Sequence, residues 1–334
     1  MFEGKKILIT GGTGSLGLAL VKKLLKFKVD VIRIYSRDEL KQVMMRSNIP
    51  DKRLRFLIGD VRDKERLQRA LKGIDIIFHT AALKHVPVAE YNPFEFIKTN
   101  VYGTQNVVDA GIDNDVELII GIGTDKAVSP LNTYGATKLL MEKIMVSANY
   151  YKGDGRTKSV CVRYGNVLGS RGSIVPVLHD QIMKNNEITI TDSNMTRFNI
   201  TMDQAIDLVF RAAKEGKGGE IFVPKLKAYK VEDIKNAIVE IMDKKPLIKK
   251  IDVRPGEKYD EILISKGEIR NTYESSKDYI IYNEVKDPLF EKPKIPYKKS
   301  KLKEDYSSAK TDKFTKEELK TLILKEKFLF MKEK

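Results

Sequence analysis

The chain has 334 residues, of which 42% are hydrophobic and 32% charged, so it is long enough to bury a large core and predicts one large or two unequal globular domains. No apolar run approaches the ~18 to 20 residues that span a bilayer, and Met1 to Lys6 leads into a short strand, so we expect a cytoplasmic protein without membrane insertion. Cys161 is the sole cysteine, which excludes an intrachain disulfide, and the net charge of +15 comes mostly from lysines spread over the chain, a solvated surface that helps to attract an anionic substrate and carries no nucleic-acid motif.

In chain order, the first half alternates short β-branched strands with amphipathic helices, the pattern of a parallel sheet with helices on both faces. The predicted strands are Lys6 to Thr10, Val31 to Tyr35, Arg55 to Ile58, Asp75 to Thr80, Glu117 to Ile122 and Ser159 to Arg163. A helix is predicted from Ser15 to Phe27, with Leu16, Leu20, Leu24 and Phe27 on one face. Longer helices are expected over Asn92 to Ile112 and Tyr134 to Tyr151. After Tyr164 the alternation stops, and Gly165 to Gly172 and Asp192 to Asn199 read as loops. A helix over Met202 to Lys214 and a strand over Glu220 to Val223 follow. From Lys286 a Lys- and Pro-rich connector (Pro288, Pro293, Pro296) precedes a terminal helix, for which Thr315 and Glu318 form a capping box ahead of Leu319, Leu322 and Ile323. These elements divide the chain into residues 1–165, with 199–224 returning to that domain, and a second region over 166–334 with a Lys-rich extension.

Gly11-Gly12-Thr13-Gly14-Ser15-Leu16-Gly17 follows the first strand and opens the first helix. Gly11, Gly14 and Gly17 let the backbone turn tightly and approach a pyrophosphate, while the helix N-terminus supplies N–H groups and partial positive charge. This is a Rossmann-type dinucleotide site. At the end of the second strand, Ser36 can donate a hydrogen bond to a 2′-phosphate and Arg37 can pair with it, which favours NADP, while Asp38 argues the other way. Asp60-Val61 lies where an adenine sits in such a fold, and Asp60 reads either as its acceptor or as a turn aspartate.

Tyr134 and Lys138 stand four residues apart, hence one turn apart on one helical face. A neighbouring cation lowers a phenol pKa, so Tyr134 can take a hydroxyl proton as hydride leaves carbon, and Lys138 can hold a nicotinamide ribose. Ten residues upstream, Thr124, Asp125 and Lys126 follow an apolar strand at the end where open α/β sheets bind ligands. Thr124 can bond the reacting hydroxyl, Asp125 can serve as acid and Lys126 as base. Desolvation and Lys138 push the Lys126 pKa down, and Asp125 pushes it up. His79, His85 and His179 are too scattered for a metal site, and none is expected.

With these residues the chain resembles the extended short-chain dehydrogenases that modify nucleotide sugars. It is most similar to the inverting UDP-N-acetylglucosamine 4,6-dehydratases of pseudaminic acid biosynthesis. The matching segments are Ser36-Arg37-Asp38-Glu39-Leu40-Lys41-Gln42, Ala82-Leu83-Lys84, Glu90-Tyr91-Asn92-Pro93, Thr124-Asp125-Lys126-Ala127, Met195-Thr196-Arg197-Phe198 and Arg254-Pro255-Gly256-Glu257-Lys258. Lysine at 126 replaces the glutamate of ordinary sugar 4,6-dehydratases, as the inverting group does. The resemblance implies a doubly wound α/β fold with a smaller C-terminal α/β substrate domain and adds Lys41, Ala81, Ala82 and Lys84 to the cofactor site. It implies a UDP-sugar held by Lys84, Asn166, Arg171, Arg197 and Arg254, with Glu257 near the ribose. The implied route oxidises C4 through Tyr134, removes the C5 proton with Lys126, expels the C6 hydroxyl with help from Asp125, and returns hydride to C6 with inversion at C5. Homo-oligomers are usual in that family. A retaining dehydratase, a 4-epimerase and an NADP-sensing regulator without turnover are the competing readings.

Overall fold

The computed structural model describes residues 1–170, 172–282 and 295–326. Arg171 and the connector prolines Pro288 and Pro293 lie outside the described residues.

Six strands, β1 (Lys6–Thr10), β2 (Val31–Ser36), β3 (Leu54–Ile58), β4 (Ile76–His79), β5 (Leu118–Ile122) and β6 (Lys158–Val162), pair in parallel in the spatial order β3-β2-β1-β4-β5-β6. Each strand lies within one or two residues of its predicted bounds. Both faces of this sheet are covered, which is why its strands read as nearly continuous apolar runs. Along β1, Ile7 and Ile9 face a cluster that holds Leu20, Leu24 and Val209, whereas Leu8 faces Ile77, Val107, Ile119 and Met145.

Helix α1 (Ser15–Leu24) stops short of the predicted Phe27, because Lys26 and Phe27 donate to the carbonyls of Lys23 and Leu24 in a tight turn. Phe27 is 40% exposed and packs edge-on against Phe2 beyond the helix. The helix expected over Asn92 to Ile112 is broken into Pro93–Phe96, a π-helical turn Ile97–Tyr102 and Gly103–Asp113. Gly103 permits that turn to lie close to the loop after β3, since a Cβ there would meet Val61 Cγ2 at 2.6 Å.

Part of the second half joins this sheet. Strand Glu220–Pro224 pairs in parallel with β6, and Asp278–Tyr282, Thr272–Glu274 and Lys298–Lys299 extend the same sheet antiparallel to ten strands. Residues Thr196–Ile200, expected as the end of a loop, form a fully buried strand between Asn166–Val167 and Ala228–Lys230. Its polar Thr196, Arg197 and Asn199 hid it from hydropathy. A third core, with Leu178, Ile188 and Ile234, also takes Leu319 and Ile323 of the terminal helix Lys316–Lys325. The Thr315–Glu318 capping box forms, and Glu240 accepts from Lys316 and Lys320, so this helix is docked on Val231–Met242.

Two buried features tie the layers together. Arg163, 1% exposed, pairs with Glu142 at 2.7 Å and Glu268 at 2.9 Å and donates to the Leu263 carbonyl, joining helix Thr133–Tyr151 to the C-terminal region. Cys161 lies fully buried on β6 between Gly121 of β5 and Ile221.

Candidate active site

A cleft of about 1090 Å³ runs along the carboxyl ends of the strands. All the predicted site residues that are described line it, except Asp125. The glycine turn forms its first wall. Gly11 has φ +65°, and a Cβ there would stand 2.8 Å from the backbone of Ala81, so the turn and the β4 exit loop pack backbone to backbone. Gly14 caps α1 without a side chain, so the helix N-terminus is turned to the cleft. The cradle, the uncapped helix and the cleft volume fit a dinucleotide.

At the end of β2, Ser36 is buried and accepts from Gln42, and Arg37 is half exposed with a guanidinium nitrogen 3.7 Å from Asp60. Asp38, the residue that spoke against a 2′-phosphate, caps helix α2 (Glu39–Asn48) by accepting from the Lys41 backbone, and it also pairs with the Lys41 ammonium. Its charge is balanced, and Lys41 is paired in turn. Asp60 accepts from the backbone and side chain of Arg62 and lines the cleft beside Val61, while Asp63 caps the next helix.

The π-helical turn supports the Lys84 loop, which the sequence gave no sign of. Asn100 accepts from the Leu83 N–H and donates to the Leu83 carbonyl, both at 2.9 Å, and also reaches Thr137 on the catalytic helix. Such turns recur at functional sites.

Thr124 caps the short turn Asp125–Ala127 at the end of β5, and Asp125 N–H donates to the Tyr164 carbonyl beyond β6. Asn132 caps helix Thr133–Tyr151 through Gly135 and donates to the Gly256 carbonyl, so the Arg254 to Lys258 segment is fastened to the helix that carries Tyr134 and Lys138. Lys258 donates to the Val128 carbonyl and fastens the same segment to the Asp125 turn.

The charges are arranged differently from the expected pattern. Burial pushes Tyr134 up to about 12, and the groups that oppose this are the Lys126 ammonium and a hydrogen bond from Thr124; Lys138 is not among them. Lys138 Nζ points instead at Met141 Sδ, 2.8 Å away, and burial lowers it to about 8 against the pull of Glu142. Lys126 Nζ has three acceptors, Asp125 Oδ1 at 3.2 Å, Glu261 Oε1 at 3.1 Å and Asn166 Oδ1 at 3.3 Å. Burial alone would lower Lys126, but the two carboxylates outweigh it and hold it above its ordinary value, so it rests as an ammonium. Burial, helped by Glu261, raises Asp125 against the opposing pull of Lys126. Asp125 is completely buried behind the cleft wall, with Thr124 Oγ1 2.9 Å from its Oδ1.

Arg197 is also buried. It donates to the Thr196 and Tyr259 carbonyls, pairs with Glu257 at 3.1 Å and lies 3.9 Å from Glu261, so it braces the cleft floor more than it offers a free guanidinium. Asn166 stands beside Lys126 at the reacting end of the cleft, and Arg254 is exposed at its rim. Sequence reasoning missed Glu261. Among the described residues, no group of three or more His, Cys, Asp and Glu residues is arranged to hold a metal ion.

A parallel sheet with a glycine-rich first turn, and a Tyr134/Lys138 helix beside a strand-end hydroxyl, define an extended short-chain dehydrogenase/reductase built around a dinucleotide cofactor. The chain belongs to the polysaccharide biosynthesis protein family, whose sequence pattern matches residues 7–283. It is 47% identical over 288 residues to the UDP-N-acetylglucosamine 4,6-dehydratase (inverting) of Campylobacter jejuni subsp. jejuni serotype O:23/36 (strain 81-176), covering 86% of this chain and 85% of that one. It is 41% identical over 329 residues to the UDP-glucose 4-epimerase of Rickettsia akari (strain Hartford), covering 97% and 96%. The solved structure of Pen from Bacillus thuringiensis superposes with a TM-score of 0.92 at 38% identity, covering 98% of this chain and 99% of that one. Among the described residues, no helix is long and apolar enough to cross a membrane.

Proposed function

We propose that this protein dehydrates UDP-N-acetylglucosamine to a UDP-2-acetamido-2,6-dideoxy-4-hexulose with inversion at C5, using NADP. The observation that carries this reading is Lys126 on the wall of a dinucleotide cleft, paired with a fully buried Asp125 whose carboxyl burial pushes up. Tyr134 receives the O4 proton as tyrosinate, its own proton having left beforehand, with Thr124 bonded to the same oxygen, and Lys138 holds the nicotinamide ribose. NADP bound in the cleft would supply the acceptor for the C4 hydride and its donor to C6. Oxidation at C4 acidifies the C5 proton; Lys126 removes it, and Asp125 protonates the departing C6 oxygen. Lys84, Asn166, Arg254 and Glu257 face the sugar nucleotide along the cleft, and Arg197 keeps Glu257 in place.

The likeness to epimerases is extensive, but a 4-epimerase only exchanges hydride at C4. An epimerase has no C5 proton to remove and no C6 oxygen to expel, so its chemistry leaves the Asp125–Lys126 pair without a role. A non-catalytic regulator has no need of Tyr134 and Lys138 facing the cleft. The product class suits nonulosonic acid assembly such as the pseudaminic acid route. The single unpaired cysteine suits the reducing cytoplasm. Val88, Tyr91, Phe94, Tyr102 and Leu140 are exposed on the helices around 86–102 and 133–151, and we assign this apolar face to a homo-oligomer contact.

Proton NMR of the protein with UDP-N-acetylglucosamine in deuterated water tests the reading. A 6-deoxy-4-keto product with inverted, deuterated C5 supports it; retained C5 configuration, or a C4 epimer, overturns it. For the cofactor, Asp38 is neutralised by Lys41 and the helix cap, which leaves Arg37 and Ser36 to meet a 2′-phosphate. Arg37→Ala is expected to weaken NADP binding by about tenfold or more, the scale of one charge-assisted hydrogen bond, with NAD binding little changed. Titration of both nucleotides by calorimetry reads this; equal losses would mean that Arg37 does not select the phosphate.

A further inference from the structure

The proposed chemistry asks Lys126 to be a neutral amine and Asp125 a carboxylic acid in the same complex, yet Lys126 rests as an ammonium with all three N–H donors matched to acceptors. An amine that is to take a proton from carbon must first give one away. Of the three acceptors, Asn166 Oδ1 is an amide oxygen and not a base, and Asp125 must keep its own proton to expel water. Glu261 remains. Its carboxylate is 2% exposed, Oε1 lies 3.1 Å from Lys126 Nζ, and Oε2 is buried with no hydrogen-bond partner among the described residues.

Resting on the proposed dehydratase reading, we propose that Glu261 is a positioning residue that sets the proton balance of the Asp125–Lys126 pair. As a carboxylate it is the counter-ion of Lys126, which releases Asp125 from that duty and lets it hold a proton. As the reaction begins it accepts the Lys126 proton. The Nζ–H bond breaks, an Oε1–H bond forms, and the amine lone pair is left facing the cleft. That lone pair takes the C5 proton, the C5–H electrons form the C5=C6 bond, and the C6–O electrons leave with the oxygen, which receives the Asp125 proton as water.

The backbone shows that Glu261 is held for this place. Its N–H donates to Ser308 Oγ at 2.9 Å, and its carbonyl accepts from the Ser308 N–H at 2.8 Å. Ser308 in turn bonds Thr196 on the buried strand beside Arg197. Residues 306–308 lie beyond the family-matched span of 7–283, so a segment outside that span fixes the carboxylate. The charged and titratable groups facing the cluster are Asp125, Lys126 and Tyr134 from the β5 exit and catalytic helix, Arg197 and Tyr229 from the buried strands, and Glu257, Lys258 and Asp260 from the 254–261 segment. Lys126 and Arg197 hold Glu261 below its ordinary value against burial, so it rests as the counter-ion and carries the Lys126 proton only in a minor form of the pair, the one in which the amine is free to act.

Glu261→Gln removes the charge and the proton acceptor while keeping the shape. Its dehydration kcat is expected to fall by about a hundredfold or more, the scale of one acid–base group, with KM little changed and C4 oxidation retained in a single turnover. Glu261 raises both Asp125 and Lys126, so its loss should move both limbs of the kcat–pH profile to lower pH. Glu261→Asp, which keeps the carboxylate but retracts it, should restore part of the rate and shift the profile less than Glu261→Gln. A Gln variant with wild-type kcat and an unmoved profile overturns the inference. Carbon NMR of lysine Cε, with Lys126 assigned by its loss in Lys126→Ala, reads the same coupling without turnover. A lower Lys126 pKa in Glu261→Gln supports it, and an unchanged one overturns it. If the wild type makes no dehydrated product, the dehydratase reading fails, and this titration still decides whether Glu261 governs Lys126. Should the Gln variant fail to fold, Glu261→Asp carries the test through a smaller fall in the Lys126 pKa and a several-fold loss in kcat, with wild-type values in both overturning the inference.

Discussion

Lys126→Ala is expected to abolish dehydration while leaving the first oxidation in place. Alanine cannot take the C5 proton, and the loss of a positioned base in such a step amounts to about 10²- to 10⁴-fold in rate. The oxidation at C4 depends on Tyr134, Thr124 and Lys138, none of which is removed. Mixed with UDP-N-acetylglucosamine, the variant should therefore convert bound cofactor to its reduced form in one turnover and stop, with the C5 proton unexchanged in deuterated water. A variant that still produces the 6-deoxy sugar would show that the base lies elsewhere. The substitution also leaves Asp125 and Glu261 facing each other without the ammonium between them, so a loss of stability is expected beside the loss of activity.

Tyr134→Phe should stop the reaction one stage earlier. The phenol oxygen is the group placed to receive the O4 proton, and phenylalanine keeps the ring while removing that oxygen. No reduced cofactor should appear, and turnover should fall by about 10²- to 10⁴-fold for the loss of one acid–base group. The pH dependence separates this role from a packing role. Burial pushes the Tyr134 phenol up to about 12, with Lys126 and Thr124 opposing, so the tyrosinate grows as pH rises. The single-turnover rate of C4 oxidation should rise with pH in the wild type, and the residual rate of the variant should be flat. A rising rate in both would assign the proton acceptor to another group.

Much of the fold could be read because its signals are local. Near-continuous apolar strands and a 3.6-residue helical stripe arise from each segment's own burial, and the glycine turn declares itself through the space its backbone needs. The strand Thr196–Ile200 was missed because its buried polar residues are satisfied by distant partners, such as Tyr259 and Ser308, that only the folded chain supplies. The π-helical turn at 97–102 was equally hidden, since one inserted residue leaves the apolar spacing almost unchanged.

The site divides along the same line. Tyr134, Lys138, Thr124, Asp125 and Lys126 stand close together in sequence, whereas Glu261 is 135 residues from Lys126 and sits in Lys258-Tyr259-Asp260-Glu261, a run that reads as a solvated surface. The apolar Ile262–Ile264 that follows was the one available sign of burial. The expected effect of Lys138 on the tyrosine failed for a geometric reason. Residues one turn apart share a face, but Lys138 turns its ammonium to Met141, and Lys126 arrives beside the phenol from another element.

Cys161 gives the chain a built-in reporter. Its thiol is fully buried in the middle of the sheet, and burial and Glu142 push it up against the opposing pull of Lys138 and Arg163, so in the folded molecule it is neither accessible nor ionised. Alkylation can proceed only when the central strands part. The labelling rate therefore counts openings of the sheet one molecule at a time, and a nucleotide that binds only the closed form slows the count in proportion to its occupancy.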